Sequence, residues 1–331
     1  MNKLKLLVLT CCGILLLSSS SSRKTTIFII GDSTAAEKSE PATNPERGWG
    51  MVLQGCFDEN IVVSNHAVNG RSSKSFLDEG RWQKVLDQLT PGDYVFIQFG
   101  HNDEKPKPDR HTDPGTTFDE NLRRYVNEAR AKGGIPVLFN AVVRRNFYRA
   151  DDGNDDDEKL RDTKYDGEEI VNSDTLIDTH GAYLVSPRRV AEELDVPFVD
   201  ANRITKEIEE GMGVIGSRKL HMWFLPGEVP SIPKGRKDNT HYNVYGARIV
   251  ANAIADAVAE QVPALGKHVR HFDYVVSAEG RGNFMDLQEA VDAVPSGKKV
   301  EILLLGGTWK KPSIPKGKRI KWVKYFDAKI E

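Results

Sequence analysis

Three residues of the chain could form a nucleophilic centre: Ser33, which follows an apolar run, and Asp238 and His241, which lie three positions apart far along the sequence. Serine is a weak nucleophile at neutral pH, because its hydroxyl must shed a proton as it attacks. It needs a base within hydrogen-bond reach, and the base needs a third group to orient it. The spacing of Asp238 and His241 sets both side chains on one side of a helical turn or tight loop. The acid can then hold one ring nitrogen while the other faces the hydroxyl. Attack on an ester carbonyl creates an oxyanion, which is stabilised only by donors already in position. The backbone N–H groups of Ser33 and Gly70 and the side-chain amide of Asn102 form the natural set, and Gly70 permits close approach because it has no side chain.

Each group alone has a plainer reading. Ser33 would serve as a helix cap, Asn102 as a turn residue, and His241 is one of eight histidines. His101 and Asp103 look like metal ligands but read as turn and scaffold residues, so no metal and no cofactor is expected. Placement favours the joint reading. From Thr26 onward short apolar runs alternate with helical patterns, the signature of a parallel sheet with crossover helices. Strands are expected at Ile27 to Ile30, Ile61 to Val63, Tyr94 to Phe99, Pro136 to Asn140 and Pro197 to Val199. Helices are expected at Phe118 to Ala131, Pro187 to Leu194 and Val244 to Val262. The first three motifs then follow the C-terminal ends of the first three strands, where open parallel sheets bind ligands. In a flavodoxin-like order 2-1-3-4-5 those strands are neighbours, and the last helix returns His241 to the same rim. The fold class is therefore α/β, three layers α/β/α around a five-stranded parallel sheet.

The length of 331 residues allows about two domains. Lys and Arg number 46 against 48 Asp and Glu, a balance that argues against nucleic acid as the main partner. The balance conceals an acidic body, 32 against 40 over residues 23–269, and a basic tail, 12 against 8 over residues 270–331. Residues 1–22 read as a secretion signal, with Lys3 and Lys5 ahead of an apolar stretch and a serine run. A secreted or periplasmic protein is expected, with a lipid anchor at Cys11 or Cys12 as the alternative and no transmembrane domain. Removal of the leader leaves Cys56 as the single thiol, so no internal disulfide can form. A monomer is expected. The acidic stretch from Asp151 to Glu158 opens what reads as a solvated insertion; calcium binding is the alternative, but its order of ligands fits no EF-hand loop.

The blocks around Ser33, Gly70, Asn102 and the Asp238/His241 pair resemble the SGNH, or GDSL, hydrolase superfamily. Gly31-Asp32-Ser33-Thr34-Ala35, Gly48-Trp49-Gly50, Asn69-Gly70-Arg71-Ser72, Gln98-Phe99-Gly100-His101-Asn102-Asp103 and Asp238-Asn239-Thr240-His241 are similar to its rhamnogalacturonan acetylesterase branch, over roughly residues 25–262. The resemblance implies a serine esterase that deacetylates pectic rhamnogalacturonan, with Ser33 as nucleophile, His241 as general base and acid, and Asp238 as its orienter. The Gly-x-Ser-x-Gly elbow of the α/β-hydrolases is absent. The expected organisation is an esterase domain over 23–265 and a tail over 266–331. In the tail, Tyr274-Val275-Val276, Gly280-Arg281-Gly282-Asn283-Phe284, Leu287-Gln288-Glu289-Ala290 and Gly307-Thr308-Trp309-Lys310 resemble the opening of a pectin methylesterase, a right-handed parallel β-helix. That implies a short β-rich appendage, loosely ordered or docked, without catalytic residues of its own.

An acidic body binding an anionic galacturonate polymer needs a local basic cluster. Arg71 and Lys74 after the Gly70 loop, and Arg144 and Arg145 after the fourth strand, are the candidates for substrate binding, with Trp49 and Trp223 as sugar-stacking candidates. Two rivals remain: an esterase of other glycans or of lipids and short acyl chains, and a non-catalytic glycan-binding module.

Overall fold

The computed structural model describes residues 23–149 and 169–331. The expected leader at 1–22 and the acidic stretch from Asp151 to Glu158 lie outside the described residues. Strands β1 (Thr25–Gly31), β2 (Ile61–Asn65), β3 (Tyr94–Gln98), β4 (Ile135–Phe139) and β5 (Phe198–Val199) form one parallel sheet in the order β2-β1-β3-β4-β5. This is the expected order, and it puts the ends of β1, β2 and β3 side by side.

Both faces of the sheet are covered, so its strands are apolar on both sides. Phe28, Ile30, Val95, Ile97 and Leu138 point to one face, where helices α1 (Ser73–Asp78), α2 (Arg81–Leu86), α3 (Thr117–Ala131) and α4 (Val185–Leu194) pack. Ile27, Ile29, Phe96, Val137 and Phe139 point to the other, under helices α5 (Ala201–Ser217) and α6 (Val244–Gln261). Helix α5 has no counterpart among the helices expected from sequence. Gly211, Gly213 and Gly216 dilute its pattern, and Gly213 kinks it with a φ of 71°. Ile204, Ile208 and Met212 nevertheless recur at helical spacing and meet the core. Asp200 caps its start by accepting from the Arg203 N–H at 3.1 Å. No helix among the described residues is long and apolar enough to cross a membrane.

The C-terminal segment forms separate parallel sheets. Strands β6 (Tyr274–Val276), β7 (Lys299–Leu305) and β9 (Arg319–Tyr325) pair in the order β6-β7-β9, while the two-residue strands β8 (Thr308–Trp309) and β10 (Lys329–Ile330) pair with each other. Helix α7 (Leu287–Asp292), capped by Asp286, closes a small core of Val276, Leu287, Ile302, Leu304 and Trp309.

Candidate active site

The chain leaves β1 in a turn, not a helix, so Ser33 caps no helix. Asp32 closes that turn: its Oδ1 accepts from the Thr34 N–H at 2.9 Å and the Thr34 hydroxyl at 2.8 Å, and its carbonyl accepts from the Ala36 N–H at 3.1 Å. Burial pushes the Asp32 carboxyl up, against the pull of the Thr34 donors. Beneath the turn, Trp49 Nε1 donates to Gln98 Oε1 at 2.6 Å, and Gln98 Nε2 donates to the Thr34 hydroxyl at 2.9 Å. Trp49 is fully buried. The expectation that it stacks on sugar is therefore corrected: its indole braces the serine turn from below.

His241 reaches the same point from the other end of the chain. It lies just before α6, whose cap Asn243 accepts from the Gly246 N–H at 3.0 Å. Its carbonyl accepts from Met222 N–H at 2.8 Å. Its Nε2 stands 2.9 Å from Ser33 Oγ, and its Nδ1 stands 3.1 Å from both oxygens of Asp238. Asp238 also accepts from the N–H groups of Thr240 at 3.0 Å and His241 at 2.9 Å, and from Arg236 Nη2 at 2.6 Å. Burial alone would raise this carboxyl. His241, Arg236 and the backbone donors outweigh it and hold Asp238 well below the usual carboxylate range. An ionised Asp238 holds the ring proton on Nδ1, so that Nε2 accepts from the Ser33 hydroxyl.

Ser33, Gly70, Asn102 and His241 line one cavity of about 140 Å³. Among the described residues, no group accepts a hydrogen bond from the Ser33 or Gly70 N–H. Gly70 holds a φ of 75°, a left-handed conformation that disfavours any residue with a Cβ. The Asn102 amide gives one hydrogen to the Arg71 carbonyl at 3.2 Å and has a second to offer. Asp103 is scaffold: it accepts from Ser73 N–H at 3.0 Å, the Ser73 hydroxyl at 2.5 Å, the Thr112 hydroxyl at 2.9 Å and Gly100 N–H at 3.1 Å. Burial nevertheless pushes it up to about 7. His101 is buried in the cavity wall, edge-on to His180, and burial together with His180 and Arg144 holds its ring well below the ordinary histidine range.

The basic candidates divide. Arg144 lines the cavity, paired with Glu104 and donating to Thr179 Oγ1 at 3.1 Å. Arg145, expected beside it, is fully buried and cannot meet a polymer. Its guanidinium pairs with Glu169 and donates to Ser217 Oγ at 2.9 Å and Asn239 Oδ1 at 3.3 Å, so it pins the loop that carries Asp238. Arg71 turns to Glu79 at 3.1 Å and Lys74 to the Pro108 carbonyl at 2.6 Å; neither lines the cavity. Trp223 is only part-exposed and has the guanidinium groups of Arg145 and Arg218 about 5 Å from its ring.

Sequence reasoning missed four charged residues here. Lys105 lines the cavity two positions after Asp103, a proximity that could have flagged it. Lys38 Nζ donates to the Ser33 carbonyl at 2.6 Å and Asn69 Oδ1 at 2.7 Å and pairs with Glu46 at 2.9 Å. Glu46 pairs in turn with Arg236 at 3.1 Å, and Arg236 with Asp238. Burial opposes the charge on Glu46, but Lys38, His241 and Arg236 bring its carboxyl down to about 2. Nothing in the local sequence announces this chain of alternating charge.

The sequence pattern of the GDSL-like lipase/acylhydrolase family matches residues 29–249. Rhamnogalacturonan acetylesterase RhgT of Bacillus subtilis (strain 168) is 38% identical over 255 residues, covering 77% of this chain and 96% of its own length. Probable rhamnogalacturonan acetylesterase YesY of the same organism is 32% identical over 238 residues, covering 71% of this chain and 92% of its own. Among solved structures, the YxiM protein of Bacillus subtilis superposes with a TM-score of 0.57 at 23% identity, covering 73% of this chain and 58% of that one, a likeness of fold.

Proposed function

The chain belongs to the GDSL-like lipase/acylhydrolase family, and from that premise we propose that it is a serine esterase that removes acetyl groups from pectic rhamnogalacturonan. The observation that carries the reading is the 2.9 Å contact between His241 Nε2 and Ser33 Oγ, with Asp238 behind the ring. Ser33 Oγ attacks the acetyl carbonyl as its proton passes to His241 Nε2. Asp238, ionised, stabilises the imidazolium that forms. The N–H groups of Ser33 and Gly70 and the Asn102 amide receive the oxyanion. As the tetrahedral intermediate collapses, His241 returns the proton to the departing sugar hydroxyl. Water, deprotonated by His241, then releases acetate from Ser33 and restores the enzyme.

Three features support the substrate class. The relatives that match over most of the chain carry the name rhamnogalacturonan acetylesterase. A cavity of about 140 Å³ is small beside the roughly 300–1,000 Å³ of drug-sized ligand sites, so it suits an acetyl group better than a long acyl chain. Lys105 and Arg144 on its wall supply positive charge for a galacturonate carboxylate. The basic, apolar, then serine-rich order of residues 1–22 supports export to the polymer. The test is release of acetate from acetylated rhamnogalacturonan, acetylated xylan and a short acyl ester by the full chain and its Ser33→Ala variant. Release from the pectic polymer by the wild type alone is expected. Retention of glycan without acetate release by either protein would instead indicate a binding module.

A further inference from the structure

The C-terminal segment lies beyond the family match, which ends at residue 249, yet it is seated firmly on the esterase body. Phe57 and Val269 form an antiparallel bridge, Asp58 N–H donates to the His268 carbonyl at 2.8 Å, and Arg270 N–H donates to the Cys56 carbonyl at 2.9 Å. One further contact leads toward the catalytic cavity. Arg47 is 3% exposed, and its guanidinium donates to four carbonyls: Pro41 at 2.8 Å, Asn44 at 2.5 Å and Glu46 at 2.8 Å in its own loop, and Gly280 of the tail at 2.8 Å. Its backbone N–H donates to the Tyr242 carbonyl at 2.9 Å, next to His241.

The loop so gathered carries Lys38 at one end and Glu46 at the other. These are the groups that hold the Ser33 carbonyl and, through Arg236, the outer face of Asp238. The tail's side of the contact is equally specific. Gly280 has a φ of 74°, and a Cβ placed there would lie 2.4 Å from Pro41 Cβ, so only glycine brings its carbonyl to Arg47. A side chain as long as arginine satisfies few donors by chance, and here the charge is spent on closing one loop against a neighbouring unit.

We propose that the C-terminal segment is a working part of the hydrolase, with Gly280 and Arg47 as positioning residues that fix Glu46 and Lys38, and through them Ser33 and Asp238. The proposal rests on the esterase reading of that site. Small displacements of a reacting pair are costly, with about 1 Å worth about a hundredfold in rate, so a loosened loop is read chiefly in kcat.

The experiment compares the full-length wild type with Gly280→Ala, Arg47→Met and the double variant. It records kcat and KM for deacetylation, amide exchange over residues 39–47, and near-ultraviolet circular dichroism as a check of folding. Expected are a fall of about tenfold in kcat for each single variant, KM within about twofold, and faster exchange of the loop while β1 and β3 keep their protection. Because Arg47→Met also removes the contact with Gly280 that Gly280→Ala breaks, the double variant should lose no more than the slower single one. Unchanged kcat in Gly280→Ala, or losses that multiply in the double variant, overturn the proposal. If Arg47→Met fails to fold, Gly280→Ala, which alters only the tail, decides. A wild type that hydrolyses no acetyl ester would defeat the esterase reading. Exchange of the loop then decides the coupling alone, faster exchange in Gly280→Ala upholding it and unchanged exchange defeating it.

Discussion

Arg236 Nη2 lies 2.6 Å from Asp238 Oδ2, on the carboxylate that also holds His241. The acid that orients the base is thus shared between the imidazole and a guanidinium, and Arg236 is itself balanced by Glu46 at 3.1 Å. A carboxylate bonded on both sides has one orientation, which is what an orienter requires.

Arg236→Met should therefore lower kcat about tenfold with little change in KM, since it frees Asp238 without touching the cavity's donors. Arg236→Lys should recover part of the loss, because an ammonium reaches one carboxylate but not both. Steady-state kinetics on a soluble acetyl ester checks both.

Ser33→Ala and Asp238→Asn should differ in degree. Loss of the nucleophile removes a factor of about 10⁶ in kcat, whereas Asp238→Asn favours the wrong tautomer of His241 and costs about 10⁴. Neither should lower the melting temperature by more than a few degrees. A Ser33→Ala protein with residual turnover close to the wild type would remove Ser33 from the mechanism.

Asn102→Ala removes one oxyanion donor and should cost about 10²–10³ in kcat with KM nearly constant. Gly70→Ala meets no steric obstacle, since the nearest atom to a Cβ there is Arg110 Nη1 at 3.9 Å, but it must hold a φ of 75°. It should cost about 1 kcal/mol of stability, read from denaturant unfolding.

Acid stability should depend on Glu46. Its carboxyl is depressed to about 2 in the folded protein against an ordinary 4.5. A depressed acid binds more protons when unfolded, so its stabilisation is present above about pH 4.5 and disappears as the pH falls toward 2. Glu46→Gln should be less stable at pH 7 and should lose less on acidification. Melting curves from pH 7 to pH 2 measure the difference in slope.

The two sorts of basic residue separate by substrate. Lys105→Ala should raise KM about fivefold on an anionic acetylated galacturonan, on the order of 1 kcal/mol, and leave a neutral acetylated xylan unchanged. Arg145→Ala should act equally on both and destabilise the fold by about 1–3 kcal/mol, because Ser217 Oγ and Asn239 Oδ1 would lose their buried donor while Arg218 keeps Glu169 paired at 2.6 Å. Arg71→Ala, already turned to Glu79, should do neither.

The strand order was legible because each of β1, β2 and β3 is an apolar run ending in a polar motif, so one pattern marked both the element and what it delivers. Ser33, Gly70, Asn102 and His241 could be placed together on that basis. Arg144 and Arg145 could not be told apart, since adjacent residues in irregular backbone take opposite environments according to a chain turn that sequence does not record. Lys38, Glu46 and Arg236 were invisible for another reason: their pairing joins segments distant in the chain, and each looks like an ordinary surface charge. Helix α5 was hidden by glycines that its tertiary contacts tolerate. The seat of the tail on Cys56 and Asp58 was hidden because it joins backbone groups, which carry no residue signature, and pairs the Asp58 carboxylate with His268 at 3.0 Å and Arg270 at 3.3 Å from a distant stretch of chain.

Among the described residues strand β9 lies at one edge of its sheet in the tail, and Arg319, Lys321 and Lys324 stand exposed along it. A second copy adding its own β9 there would have to stack like charges at a strand spacing of about 4.8 Å. That edge of the appendage is thus guarded against templated aggregation, and concentrated solutions should remain dispersed at low salt.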